Sequence, residues 1–238
     1  MTNLKEEALH LHKVNQGKLA THSKIPIRNE QDLSLAYSPG VAEPCKAIYD
    51  NKDAVYDFTM KGNMVAVVTD GSAVLGLGNI GPEAALPVME GKSALFKGFA
   101  GVDSFPIALN TNDVDEIVNT VKLMEPTFGG VNLEDIAAPN CFIIEDRLKK
   151  ETNIPIFHDD QHGTAIVTVA GLINALRLSG KSFSDIKVVA NGAGAAGIAI
   201  IKLLYNFGVR DMIMCDSKGA IFDGRPYGMN PVKEEVAK

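Results

Sequence analysis

Two acidic pairs occupy matching places in this chain. Glu134 and Asp135 follow the run GVNL, and Asp159 and Asp160 follow IPIFH. Each run reads as a strand, and carboxylates at the carboxyl ends of neighbouring parallel strands converge on one crevice. Several anionic oxygens crowded there call for a hard cation such as Mg2+ or Mn2+. Adjacent strand residues point to opposite faces, so both members of a pair reach one ion only where the strand is ending, and one of Asp159 and Asp160 is free for another task. The plainer alternative makes these acids helix N-caps or solvated loop charges, and the repetition of the pair weakens it. His158 and His162 flank the second pair, but oxygens outnumber nitrogens and no cysteine is near, which disfavours zinc.

Lys92 falls in a segment, 82–99, where Ala85, Val88, Met89, Ala94 and Leu95 have helical spacing. Such a lysine either snorkels to solvent or, buried beside a cation, has its ammonium disfavoured and its pKa lowered towards the range of a general base. Tyr37 opens YSPGVAEPCKAIYD, where Pro39 and Gly40 interrupt the backbone and put its phenol at a loop edge; it serves either chemistry or plain packing.

Gly192, Gly194 and Gly197 form GxGxxG, with Ala195 and Ala196 completing the loop GAGAAG. Alone the pattern is weak, and a glycine-rich turn of any α/β protein would produce it. Here the strand IKVVAN precedes it, the helix IAIIKLLYNF follows, and Asp216 closes the strand DMIMCD 19 residues beyond Gly197. The first glycine permits the turn, the second lets a pyrophosphate approach the backbone, the third lets helix and strand pack, and the helix N-terminus attracts phosphate. Asp216 is expected to accept from an adenosine ribose 2′-hydroxyl and repel a 2′-phosphate. That favours NAD over NADP, with Lys218 partly offsetting the repulsion.

The elements that must position these residues alternate. An amphipathic helix over residues 4–19 carries Leu4, Ala8, Leu11 and Val14 on one face, a stripe that suggests a homodimer. Residues 64–69, Asp70-Gly71 and 73–75 read as a hairpin, followed by a loop with Gly76, Gly78 and Gly81. From Pro106 the order is strand, helix 114–124, strand GVNLED, helix 140–150, strand IPIFHDD, helix 164–178 ending at Gly180, and then the βαβ unit around the glycine loop. This predicts an α/β fold with a mainly parallel sheet, divided into an N-terminal domain, 1–160, and a partial Rossmann-type dinucleotide-binding domain, 161–238.

The bulk properties fit small-molecule chemistry. The chain has 238 residues, 46% hydrophobic and 22% charged, enough to bury a core. A net charge of -6 without a basic block gives no footprint for nucleic acid or an anionic membrane. Cys45, Cys141 and Cys215 form no disulfide framework and suit a reducing cytosol, and no apolar run has the length of a membrane span. The expected location is cytoplasmic.

The motifs YSPGVAEPC, VTDGSAVLGLGNIGPEAALPVMEGKSALFK, VNLEDIAAPNCF, FHDDQHGTA and GAGAAG, in this order and spacing, resemble the malic enzyme family across essentially the whole chain. The resemblance implies an NAD(P)-dependent decarboxylating malate dehydrogenase, in which malate is oxidised at C2, loses its β-carboxylate as CO2 and yields pyruvate. It implies Tyr37 as general acid, Lys92 as general base, Asp159 hydrogen-bonded near Lys92, and Glu134, Asp135 and Asp160 as ligands of Mg2+ or Mn2+. Thr164 would touch the cofactor phosphates, and a homodimer is also implied.

Two departures stand out. The larger members carry an arginine for substrate carboxylate in the loop that here runs Ser72, Ala73, Val74. The sequence is similar to the smaller bacterial type, with Lys46 and Arg28 as candidate replacements. Only 22 residues follow Asp216, so the chain is expected to be a fragment or a truncated product with little activity alone. Malolactic enzyme, oxaloacetate decarboxylase and an inactive assembly domain are the alternatives.

Overall fold

Asn3 opens the described chain, residues 3–238 of a computed structural model, by accepting a hydrogen bond from the Lys5 amide at the start of α1 (Leu4–Asn15). Gln16 adopts a left-handed φ of 53°, so the helix stops there and does not reach residue 19. No residue of α1 is buried, and Leu4, Leu9, Leu11 and Val14 all face solvent. Three short helices follow, α2 (Glu30–Ala36), α3 (Ala42–Asp50) and α4 (Val55–Phe58), again without a buried residue.

The first sheet takes β1 (Met64–Thr69), β2 (Asp103–Ala108), β3 (Gly130–Leu133) and β4 (Ile156–His158) in the order β2-β1-β3-β4, all parallel. The crossovers are α5 (Pro82–Ala100), α6 (Val114–Met124) and α7 (Asn140–Glu151). Pro82 suits the first turn of α5, where its missing N–H has no partner to lose, and Gly101 ends the helix in a left-handed cap. Every residue of β3 is buried, as are the last four of β1, as expected of parallel strands covered on both faces. Ala66, Val68, Ile117, Val121, Leu133, Ile144 and Leu148 form the centre of this core. Each large aliphatic side chain there contributes roughly 1.5–3 kcal/mol.

The expected hairpin does not form. β1 is paired in parallel on both sides, with β2 and β3, so no edge remains for residues 73–75. They lie in an irregular loop whose sole bridge joins Val74 to Gly78. A second difference lies at β4, which ends at His158. α8 (Asp159–Ser179) begins immediately, so Asp159 and Asp160 form the first turn of a helix and not the end of a strand, and the helix starts well before Thr164. Acids in a first turn are stabilised by the helix dipole, which favours the early start.

The second sheet contains β5 (Lys187–Asn191), β6 (Asp211–Asp216) and the short β7 (Gly219–Ala220). β5 and β6 are parallel and joined by α9 (Ala195–Asn206), while β7 runs antiparallel to β6. The last helix is α10 (Pro231–Val236). Val169 of α8 packs with Leu204 of α9 and Val209, and Phe142 of α7 touches the cores of both sheets. The two units therefore adjoin through α7, α8 and α9. Among the described residues no helix is long and apolar enough to cross a membrane.

Candidate active site

Parallel pairing of β3 with β4 brings the residues after Leu133 and His158 to one end of the sheet, and α5 brings Lys92 to the same place. Lys92 Nζ lies 2.7 Å from Asp159 Oδ2 and 3.3 Å from Glu134 Oε2. One oxygen each from Glu134, Asp159 and Asp160 fall within 4.8 Å of one another. Asp135 enters differently. Its backbone is left-handed, φ 54°, its amide donates to Asp160 Oδ2 at 3.0 Å, and its own Oδ2 is buried without a hydrogen-bond partner. The converging trio thus contains Asp159 where the sequence expectation had Asp135, which adjoins the trio through its amide. Asp159 also needs Gly163, one turn along α8, because a Cβ there would stand 2.5 Å from Asp159 Oδ1.

The electrostatics express this crowding. Burial pushes the Glu134 carboxyl up to about 7, opposed by Lys92 and by the Asn132 amide at 2.8 Å, and reinforced by Asp159 and Asp160. Asp135 is pushed up to about 6, by burial first and the Asp160 charge second. For Lys92, burial disfavours the ammonium, yet the hydrogen bond to Asp159 and the charges of Glu134 and Asp159 outweigh it, so its pKa lies above the ordinary lysine value. This reverses the expected lowering, because two carboxylates lie within reach of Nζ and stabilise the charged form.

Three converging carboxylates beside one ammonium, with the buried Asp135 Oδ2 left unpaired next to them, fit a hard divalent cation with oxygen ligands. The histidines do not join them. His162 Nε2 sits 2.7 Å from Glu145 on α7, and His158 is fully buried with both ring nitrogens unpartnered. Glu145 itself is buried, which opposes its charge, but His162 and Lys149 hold its carboxyl below the usual range. The sequence reading did not single out Glu145 or Asn132. Asn132 was accessible from the strand period, since it shares a face with Glu134 two residues on; no sequence signal marks Glu145.

Tyr37 is the C-cap of α2, 69% exposed, and among the described residues no hydrogen bond links it to Lys92 or the acids. Lys46 is exposed and pairs with Glu43 at 2.7 Å, and Arg28 is exposed as well.

At the glycine loop, Gly192 has φ 127°, and a Cβ on Gly197 would lie 1.8 Å from Gly192 O, so neither position accepts a side chain without distortion. Gly194 caps α9, and a Cβ on it would meet nothing within 4 Å, which leaves open space before the amides of Ala195 and Ala196. No side chain caps this helix end. A phosphate fits both the space and the dipole. Thr164 is exposed on the second turn of α8, the helix that packs on α9.

Asp216 is not a free acceptor. Its Oδ2 accepts from Arg225 at 2.6 Å and Lys233 at 2.7 Å, and its Oδ1 accepts from Arg225 at 3.0 Å and the Lys218 amide at 2.8 Å. These donors, Arg225 first, hold its carboxyl far below the usual range. Arg225 and Lys233 lie nine and seventeen residues beyond Asp216 in a turn-rich stretch, and no motif announced them.

Comparisons with known proteins agree with this architecture. The family model "Malic enzyme, N-terminal domain" matches residues 16–149, and "Malic enzyme, NAD binding domain" matches residues 161–235. The chain is 82% identical to the bifunctional malic/malolactic enzyme of Bacillus subtilis, over 99% of this chain and 58% of that protein. It is 58% identical to the NAD-dependent malic enzyme of Geobacillus stearothermophilus, over 93% of this chain and 46% of that one. A crystal structure of the NAD-dependent malic enzyme of Thermotoga maritima superposes with a TM-score of 0.93 at 49% identity, covering 97% of this chain and 61% of that one. The chain thus spans about half the length of the curated relatives it matches. With both family models covering it and these relatives alike from end to end, the chain belongs to the malic enzyme family.

Proposed function

We propose that the protein containing this chain oxidatively decarboxylates malate to pyruvate and CO2, with NAD or NADP as hydride acceptor and Mg2+ or Mn2+ as cofactor. The single observation that carries this reading is the placement of Lys92 between Asp159 and Glu134 in a crevice with Asp160 and the orphaned oxygen of Asp135. Glu134, Asp135 and Asp160 are assigned to the ion, and Asp159 to Lys92, because its Oδ2 already accepts from Nζ. The division into a metal-and-base unit, 1–160, and a dinucleotide unit, 161–238, goes with this assignment and places the join in the first turn of α8.

When bound, the cation would hold the carboxylate and hydroxyl oxygens of the α-hydroxy acid and draw off negative charge, and the dinucleotide would take the hydride. As Glu134, Asp135 and Asp160 turn their charge to the ion, Lys92 loses part of what holds it as ammonium, and neutral Nζ can accept the C2 hydroxyl proton. Asp159 orients Nζ for that transfer. Tyr37 is assigned the donation of a proton to C3. Gly192, Gly194, Ala195, Ala196 and Gly197 form the pyrophosphate cradle, with Thr164 at its side.

For the ribose end, Asp216 already shares its charge with Arg225 and Lys233, so it would repel a 2′-phosphate less than a free aspartate. We therefore assign both dinucleotides to the site, with the NAD preference weaker than the bare motif implies. The exposed apolar face of α1 supports a homodimer, and the lack of a membrane-length helix among the described residues goes with a cytoplasmic enzyme.

The test is malate-dependent NAD(P)H formation with Mn2+ by the native protein, with pyruvate identified as product. Absence of both pyruvate and reduced dinucleotide would refute the reading. A second reading, malolactic chemistry, is favoured by the likeness to the Bacillus subtilis relative whose name joins the two activities. Lactate formed without net NADH would identify it.

A further inference from the structure

We propose that Asp70 and Ser72, on the loop after β1, are positioning residues that hold Asp135 in the backbone conformation its metal-site role requires. The inference rests on the function proposed above. Asp135 stands at φ 54°, a region that side-chain-bearing residues rarely enter. Two contacts from one neighbouring loop bracket it. The Ala73 amide donates to the Asp135 carbonyl at 2.9 Å, and the Ala137 amide donates to Ser72 Oγ at 2.8 Å.

The Ser72 hydroxyl accepts because its own proton is committed elsewhere. It donates to Asp70 Oδ1 at 2.6 Å, which fixes the rotor and leaves a lone pair for Ala137. Asp70 is 2% exposed, and among the described residues it has no cation partner; donors satisfy it instead. Its Oδ1 also accepts the Ser72 amide at 2.9 Å, and its Oδ2 accepts Asn112 Nδ2 at 3.0 Å. A buried carboxylate is costly unless so satisfied.

The bracket has a direct result at the site. With Asp135 held left-handed, its amide reaches Asp160 Oδ2 at 3.0 Å, and its Oδ2 stays buried and unpaired. A continuous path therefore runs from Asp70 through Ser72 and the 135–137 turn to Asp160, joining the loops after β1 and β3 to the start of α8. This gives a task to the DGS part of the VTDGSAVLG motif, which no step of the reaction uses.

The experiment is a Mn2+ titration of the purified protein followed by electron paramagnetic resonance, with thermal melting recorded in parallel. Ser72→Ala is expected to raise the Mn2+ Kd by about tenfold or more, the usual effect of losing an outer-sphere orienting group, while Ser72→Thr, which keeps the hydroxyl, stays near the unsubstituted value. Asp70→Asn makes the acceptor for Ser72 neutral and, because Asn112 can meet either orientation of the new amide, lets it turn a donor towards Ser72, so it is expected to weaken binding. The exchange Asp70→Asn with Asn112→Asp restores donor and acceptor and should recover most of the affinity. This pair decides the matter should Ser72→Ala fail to fold. Folded Ser72→Ala or Asp70→Asn protein that binds Mn2+ with unchanged Kd, even if it melts earlier, would overturn the inference while leaving the metal site standing. No saturable Mn2+ binding by the unsubstituted protein would overturn both.

Discussion

After β3 and β4, four acids lie close together with a single ammonium, which touches two of them; at the end of β6, a single carboxylate is shared by two cations and a backbone amide. The first group is short of positive charge, and its pKa values show it: Glu134 and Asp135 rise to about 7 and about 6. The second is compensated from within, and Asp216 is held strongly ionised. An acid at a strand end is therefore not one kind of object. Where the fold withholds partners, the group waits for an ion from outside. Where it supplies them, the acid ties down the segment beyond it, here from the β6–β7 turn to the first turn of α10, and its charge is largely spent before any ligand arrives.

The contrast breaks most visibly at Lys92. Lys92→Ala removes the base and should cut turnover by about 10²–10⁴-fold, yet Mn2+ binding should persist, because the acids lose only a competing cation. Loss of both together would mean that Lys92 builds the site and does not act in it. Next in size is Glu134→Gln. A ligand oxygen is lost, and the Mn2+ Kd should rise by more than the roughly 10–100-fold typical of outer-sphere losses, measured by the same titration. The same exchange at Asp216 should leave Mn2+ binding untouched.

A smaller effect tests the compensated group. Lys233→Gln removes one of the two cations on Asp216 and should shift the ratio of kcat/KM for NADP and NAD towards NAD by about tenfold, the value of one charge-assisted contact. An unchanged ratio would place the 2′ position away from Asp216. The smallest effect is on stability. The folded pKa values of Glu134 and Asp135 lie above the ordinary carboxylate values near 4, so in EDTA-treated protein the folded state binds more protons than the unfolded chain between about pH 4 and about pH 7. Stability from this group should fall as pH rises through that window, and Mn2+ should reverse the trend at its upper end. Asp216 has the opposite sign: its contribution is present above about pH 4 and is lost as pH falls below that. Melting temperatures across pH, with and without Mn2+, read both, and a metal-free Tm that climbs between about pH 5 and about pH 7 would contradict the crowding.

Much of the fold was legible because its signals are local. Helix α6 and strand β6 fall where periodicity put them, and the glycine loop sits between its strand and helix as the spacing requires. What failed depended on partners distant in the chain. Residues 73–75 look like a returning strand, but both edges of β1 are taken by β2 and β3, whose sequences lie far downstream. Asp159 and Asp160 extend an apolar run and so read as strand, although β4 stops at His158 and they form the first turn of α8. The acids and the lysine of the crevice were visible as residue types. The sign of the Lys92 shift was not, because it depends on distances to Glu134 and Asp159 that the sequence does not contain. Arg225, in a turn, and Lys233, in α10, were hidden for the same reason.

The left-handed backbone at Asp135 has a consequence for sequence drift. Short side chains that can bond back to their own backbone tolerate that conformation, whereas a longer acid gains nothing from it. Asp135→Asn would fold with little strain and leave a weakened ion site, while Asp135→Glu, which keeps the charge, would strain the turn and carry its oxygens past the crevice. At this position the exchange that looks conservative on paper is the less tolerable of the two.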